Sequence, residues 1–566
     1  MGSNKLLFKD IEVVSLEEGS HIPTALYYTS ETEFLYGVEA ASASSEVHDL
    51  NMEFKMALGN LVENKKNRTQ HRTNASGVYK DAQELTRDFL GGIINEAINI
   101  VPSEKSNTTV LMAEPIAIEG DLVKRGWLTR YRKYIGEVLD DHGFGDVQFL
   151  SEPFAVYQYY RYGIQHHSLR DARTYDALVL DFGAGTLDTC VINTTKDGQI
   201  SGGGRNSRPL GASAARVGGY FINEELAIET YLRYYKAHDP SNRQQFIDYL
   251  KTYRNRRSGK ITGRVDDSRE TFIENMNNVI YNIENAKIAL SSQITDWSLD
   301  ADLRIRVPIR LLDKPWSKEN DTFQTYVTAS DLKRIFIDKI WKRYVKQTIL
   351  DTVQRSRKAL EGRQIDIVLL SGGTCNLKWL PELINDELRR DIEYAQILTL
   401  PDYREVVAKG LAIECARQFY TDSNEGDFAE TSYNALNLLL DSKDEGAFDV
   451  KPFIAQNSQL DSISDKPGTL IPSATKISNL TDKNLRWKVK LNSRPNTRLD
   501  YLFLKSSLDP SETKSWLNVQ ELFIDTPREF REGGWDSYTT IDLKIKKKIG
   551  VSLHTQHLSI RRKTIT

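Results

Sequence analysis

The chain has 566 residues, enough for two or more domains that each bury a core, and its 40% hydrophobic and 27% charged residues describe an ordinary soluble globular protein. A net charge of −3 sets up no global field that would select nucleic acid or a membrane surface. The three cysteines, Cys190, Cys375 and Cys415, stand far apart among apolar neighbours, which argues against a disulfide framework or a zinc site and for reduced, packed thiols in the cytoplasm. No apolar run approaches transmembrane length and the start does not read as a signal peptide, so no membrane association is expected.

Residues 1–40 read as short strands at Ile11–Val14, Ala25–Tyr28 and Phe34–Val38. Residues 41–76 are mostly polar, and Lys65, Lys66, Arg68 and Arg72 read as a solvated loop. Apolar spacing through Leu85, Phe89, Ile93 and Ala97 predicts a helix over 79–99. Thr109–Met112 and Val147–Leu150 are strand candidates around a helix over 121–140. Ser151-Glu152-Pro153 then leads into a helix through Tyr159. Next comes Ala177-Leu-Val-Leu-Asp181-Phe-Gly183-Ala184-Gly185-Thr186-Leu-Asp188, an apolar run feeding a Gly-rich turn, which predicts a buried strand and its exit loop. The glycines let backbone N–H groups approach a phosphate chain, Thr186 adds a hydroxyl donor, and Asp181 and Asp188 suit a hydrated magnesium ion. A tight hairpin with a capping Asp suits the same residues, and the pattern leaves both readings open.

Residues 201–215 are rich in Gly, Ser and Arg and read as a loop; Gly218-Gly219 opens a helix running past Ala227. The pattern over 223–300 is helical and charged, with Arg254, Arg256, Arg257, Lys260 and Arg264 read as a solvated face and 274–292 as an amphipathic helix. A long helix over 331–358 precedes the buried strand Ile365–Leu370 and a second Gly-rich turn, Ser371–Thr374. Helices through Trp379 and over Val406–Phe419 close this part. The alternation of strands and helices predicts an α/β architecture for 1–420. A linker is expected over 421–450. Beyond it, two-residue alternation around Leu485–Leu491 and Ile541–Ile545 predicts a β-rich domain over 451–566. Its basic residues, Lys544, Lys546, Lys547, Lys548, Arg561 and Arg562, read as wet faces of edge strands and not as a nucleic-acid surface.

Two strand-to-turn junctions far apart in sequence suit a nucleotide held between two lobes. Asp181–Asp188 resembles the second phosphate loop of the DnaK-type heat-shock chaperones, members of the actin-like ATPase superfamily. Five further stretches follow the family's order. Ser151-Glu152-Pro153-Phe-Ala155 resembles its Asn-Glu-Pro-Thr-Ala element, and Gly218-Gly219 its Leu-Gly-Gly turn. The segment Glu284 to Ser292 resembles its Glu-Arg-Ala-Lys-Arg-Thr-Leu-Ser-Ser helix, Leu370 to Asn376 its adenosine loop, and Val406 to Ala412 its final helix. The resemblance covers about 20–420 and implies a two-lobed actin-like ATPase fold with a C-terminal β-rich domain. It implies ATP and magnesium as cofactors. Asp181 and Glu152 would hold the metal through water, and Thr186 and Asp188 would sit beside the phosphates and the attacking water. Gly183, Ala184, Gly185, Gly218 and Gly219 would line the phosphates. Glu284, Lys287, Ser291, Gly372, Gly373 and Asn376 would line the nucleoside. Lys55 is similar in context to the family's phosphate-facing lysine; an unpaired surface lysine fits as well.

The chain also departs from the family. No Asp-x-Gly-Thr loop precedes Ile22-Pro23-Thr24: either the first hairpin is lost or the start shown is not the natural one, and if it is lost, a carboxylate and several phosphate donors are wanting and hydrolysis is expected to be slow or absent. Ile288 and Asn376 stand where the family places arginines that can stack on adenine, which puts nucleotide affinity or base preference in question. Tyr220-Phe221 replaces an acidic pair. Leu436–Asp441 is similar to the family's interdomain linker, Leu470–Ser473 resembles its peptide-binding β-domain, and no helical lid follows. The function expected from the resemblance is a chaperone-like ATPase whose nucleotide state alters binding of protein clients or co-chaperones. The alternatives are a degenerate, non-hydrolysing scaffold and a small-molecule kinase of the same superfamily.

Overall fold

The computed structural model describes residues 13–16, 21–43, 51–116 apart from 53, 74–77 and 102, 127–163, 174–195, 207–294 apart from 258–260 and 262, 303–310, 322–420 apart from 402, and eight strands within 436–563. It mixes helices and sheets as an α/β protein. Among the described residues no helix is long and apolar enough to cross a membrane.

The first part contains a three-stranded antiparallel sheet of β1 (Ala25–Tyr28), β2 (Phe34–Tyr36) and β3 (Asn51–Met52). A short hairpin of β4 (His71–Arg72) and β5 (Tyr79–Lys80) follows, then a parallel pair of β6 (Thr109–Glu114) and β7 (Asp146–Ser151). The helices Ala82–Ile100 and Trp127–Asp141 share one apolar core with these strands, around Leu26, Phe54, Leu85, Tyr131 and Phe149. Asp81 starts the first helix through a capping box with Glu84, and each satisfies N–H groups the helix leaves open.

The second core surrounds a five-stranded sheet. β8 (Thr174–Phe182), β9 (Leu187–Thr195) and β10 (Ser207–Ala215) are antiparallel neighbours; β13 (Ile365–Ser371) and β14 (Tyr394–Thr399) run parallel to β8 on its other side, giving the order β10-β9-β8-β13-β14. In chain order the intervening hairpin is β11 (Arg304–Arg310) and β12 (Thr322–Thr328). Leu178, Leu180 and Phe182 join the main apolar core, and the alternating Ala177, Val179 and Asp181 are buried too. A strand covered on both faces needs such a continuous apolar run. The helices Glu152–Gln158 and Lys346–Leu360 pack against this sheet.

Several expectations are corrected. Val13–Ser15 form no strand, and Val13 and Val14 stay exposed, so their apolar character buries nothing. The expected loop at 201–215 holds strand β10. Its small residues reflect close packing: a Cβ on Gly211 would lie 2.6 Å from Ser356 Oγ of the covering helix. Neither basic group is simply solvated. Arg68 is buried against Asp81 at 2.8 Å and Arg72 pairs with Glu274, while Lys65 and Lys66 are exposed. Arg256 is buried against Glu270 at 2.5 Å, and Arg254 and Arg257 pair with Glu224. The balancing carboxylates come from distant segments, so local charge counting misses them. The 329–360 helix is longer than expected and passes through a π-helical stretch at Phe336–Val345. Strands β11, β12 and β14 had no predicted counterpart.

Beyond 420, β15 (Leu436–Ser442), β16 (Ala447–Ile454), β19 (Leu499–Leu504) and β20 (Val519–Phe523) form one sheet. β17 (Gly468–Thr469), β18 (Leu485–Lys490), β21 (Tyr538–Ile545) and β22 (Thr555–Lys563) form another. Part of the expected linker is therefore strand: Leu436–Ser442 pairs with two neighbours, while 421–435 lies outside the described residues, as does Leu470–Ser473.

Candidate functional site

The Gly-rich turn joins β8 to β9 as a hairpin, with Asp181 and Asp188 directly opposite across the ladder. The stretch is thus a tight hairpin. Gly183 N–H donates to the Thr186 carbonyl at 3.0 Å and closes the turn. On the parallel neighbour, Ser371 stands opposite Asp181, and the chain then turns at Gly372 with φ 86°. A Cβ there would lie 2.7 Å from Asp181 Oδ1 and 2.6 Å from the Phe182 backbone, so the second Gly-rich turn crosses directly over the first. Thr374 Oγ1 donates to the Gly183 carbonyl at 2.9 Å.

The Gly218-Gly219 turn lies against the same loop. Gly219 N–H donates to the Gly183 carbonyl at 3.0 Å and Tyr220 N–H to the Ala184 carbonyl at 2.8 Å. A Cβ on Gly218 would sit 2.3 Å from the Ala184 oxygen, so no side chain fits. Gly185 faces Met56, next to Lys55 on the short helix Phe54–Leu58, with 3.6 Å from its Cβ position to Met56 Cγ.

Lys55 Nζ lies 2.7 Å from Glu152 Oε1, the residue that opens the helix after β7. Burial pulls the Lys55 ammonium down, but Glu152, Tyr131 and Asp188 together hold it above the ordinary lysine value. Asp181 is pushed up to about 7, first by burial and then by the Glu152 charge, with Lys55 and the Ser371 hydroxyl acting the other way. Asp188 is raised well above the usual carboxylate range by burial and by Glu152, although the Thr186 hydroxyl and the Ile116 N–H oppose this. That N–H donates to Asp188 Oδ1 at 2.6 Å. Three carboxylates therefore crowd around one ammonium.

Among the described residues no three acidic, His or Cys groups converge tightly enough to ligate a metal directly. Yet Asp188 Oδ2 is buried without a hydrogen-bond partner, and crowding raises both Asp181 and Asp188, so a cation there would favour their charged forms. This donor set fits a magnesium ion that keeps its water shell and meets carboxylates through it.

On the other side of the turns, Lys287 Nζ reaches Glu284 Oε2 at 2.6 Å and the Gly219 carbonyl at 3.3 Å. Burial would raise the Glu284 carboxyl, but Lys287, Asn223 and Arg404 bring it below its ordinary value. Ser291 Oγ donates to the Lys287 carbonyl at 2.7 Å within its helix. Asn376 ends the single turn Gly373–Asn376, Gly373 faces open space, and Ile288 is 45% exposed. The structure thus brings together Gly183, Ala184, Gly218, Gly219, Lys287 and Gly372, and separately Lys55, Glu152, Asp181, Thr186 and Asp188. No side-chain bond among the described residues ties Ser291 or Asn376 to the turns. The sequence reading missed Thr374, Ile116, Asn223 and Arg404. Thr374 lay in a turn already singled out. Ile116 acts through its backbone, which no residue type betrays. No model of a known protein family matches the chain, and no curated protein matches it.

Proposed function

We propose that the chain is an actin-like, ATP-binding protein of chaperone type, whose nucleotide state controls its grip on protein partners. The observation that carries this reading is the convergence of three Gly-rich segments on the Gly183 carbonyl, beside a buried carboxylate cluster with one facing lysine. The sheet order β10-β9-β8-β13-β14, with a separate apolar core in the first part, supports the same reading. Magnesium, when bound, supplies charge neutralisation on the phosphates. The chain's own groups do the rest. Gly185 adds no side chain at the tip of the first turn, and Gly218 lets the second turn close on the Ala184 oxygen. Lys55, kept charged by Glu152, balances phosphate charge. Asp188, fixed by the Ile116 N–H, orients water. Glu284, Lys287 and the Gly372 turn bound the nucleoside side.

A second reading, the non-hydrolysing scaffold, is favoured by one detail. The Gly219 and Tyr220 N–H groups donate to carbonyls of the hairpin turn and are already engaged. The test is calorimetry with ATP and magnesium, plus single-turnover hydrolysis, on the chain and on Asp181→Ala. Binding with turnover, both lost in the variant, supports the ATPase. Binding without turnover supports the scaffold. Absence of binding overturns both.

A further inference from the structure

A cavity of about 60 Å³ lies between the helix that carries Lys55 and the helix that opens at Gly219, walled by Ala57 on one side and Tyr220 on the other. Its wall also includes Arg216, Arg256, Arg257, His71 and Asn277, and among the described residues it includes no carboxylate. The acids that balance Arg256 and Arg257 are not among the described lining residues. Arg256 Nη1 donates to Glu270 Oε2 at 2.5 Å and its Nη2 to the Gln70 carbonyl, while Arg257 pairs with Glu224. Arg216 Nη2 donates to the Arg257 backbone carbonyl at 3.2 Å, which ties its guanidinium to the end of the helix that carries Arg256 and Arg257. A guanidinium carries five N–H groups in a rigid fork, and the bonds of Arg256 to Glu270 and Gln70 leave donors over.

His71 adds the second observation. Its Nε2 is buried and has no hydrogen-bond partner. Burial and the Arg256 charge hold the ring neutral, with a pKa lowered to about 3, so it meets a ligand as an uncharged donor. An unsatisfied ring nitrogen beside clustered guanidiniums is costly to leave empty and well suited to a planar or tetrahedral anion. The cavity has room for ordered water or one small oxyanion.

We propose that this cavity binds a phosphate-class oxyanion, either inorganic phosphate or the terminal phosphate of a bound nucleotide, on Arg216, Arg256, Arg257 and His71. The site does not depend on the nucleotide reading. The full chain is titrated with inorganic phosphate by calorimetry, with ³¹P line broadening as a second readout. Asn277→Asp is nearly isosteric and places a carboxylate in the wall; Arg216→Gln removes a wall charge. Saturable one-site binding, weakened at least tenfold in each folded variant, is the expected result. Circular dichroism establishes folding, and if one variant does not fold the other decides.

Repeating the titration with saturating ATP and magnesium separates the sources. Exclusion of phosphate assigns the nucleotide's terminal phosphate, and simultaneous binding assigns the free anion. If ATP does not bind at all, the nucleotide reading fails while phosphate binding by the chain still supports this site. No saturable phosphate binding, or equal affinity in the chain and both variants, overturns it.

Discussion

The Thr374 hydroxyl donates to the Gly183 carbonyl at 2.9 Å and joins two Gly-rich turns separated by 191 residues. The same oxygen accepts from Gly219 N–H, so one carbonyl holds three segments in register. Thr374→Val keeps the shape and removes the donor. Its loss is expected to cost about 1 kcal/mol of stability, the usual net value of one hydrogen bond. Urea unfolding reads this directly. An unchanged midpoint would show that the Gly219 bond alone sets the register.

Gly372 is the sharper case. Its φ of 86° and the 2.6 Å approach of a Cβ to the Phe182 backbone leave no room for a side chain. Gly372→Ala is expected to destabilise by about 2–4 kcal/mol, from backbone strain plus a clash with main chain that cannot move aside. Gly373→Ala is the control, since a Cβ there meets open space; its effect should stay within about 1 kcal/mol. Equal losses in the two variants would refute the close crossing of the turns.

Lys55 separates structure from function. Its side chain is 42% exposed and its partner Glu152 only 12%, a half-wet pair that contributes little to folding. Lys55→Met is therefore expected to change stability by less than about 1 kcal/mol, while lowering affinity for ATP with magnesium at least tenfold. Chemical unfolding and calorimetry on one preparation check both. Affinity equal to that of the unaltered chain would leave Lys55 a surface lysine.

How far these features were legible in the sequence follows from what each depends on. Strand β8 and its turn were readable, because a doubly covered strand must be apolar throughout and its exit must bend. The last helix of the α/β part was also readable, and the structure explains its glycine: a Cβ on Gly410 would lie 1.8 Å from the Ala155 oxygen, so two helices touch there. Strand β10 was not readable, because its Gly and Ser residues answer to a helix over a hundred positions away. The arginines at 254–257 misled for the same reason, since Glu224 and Glu270 lie on other helices. In the candidate site, the residue types of the Asp181–Asp188 stretch were visible. The crossing over it by Gly372, and the backbone donor at Ile116, depend on tertiary contact alone.

His71 gives a pH test with a definite sign. Burial, reinforced by Arg256, lowers its pKa to about 3, whereas an unfolded histidine titrates near its ordinary value of about 6.5. Below pH 6.5 the unfolded chain therefore takes up a proton at His71 that the folded chain refuses. The unfolded state binds more protons, so stability rises with pH and falls as pH drops from about 6.5 toward 3. At pH 5 the deficit from this one group is about 2 kcal/mol, from one and a half pH units at about 1.4 kcal/mol each. His71→Gln is expected to remove this contribution to the slope. Urea unfolding of both proteins from pH 7 to pH 4.5 isolates the histidine as the difference between them, because groups such as Asp181 titrate alike in both. If the variant loses stability on acidification as steeply as the unaltered chain, His71 is not held neutral in the fold.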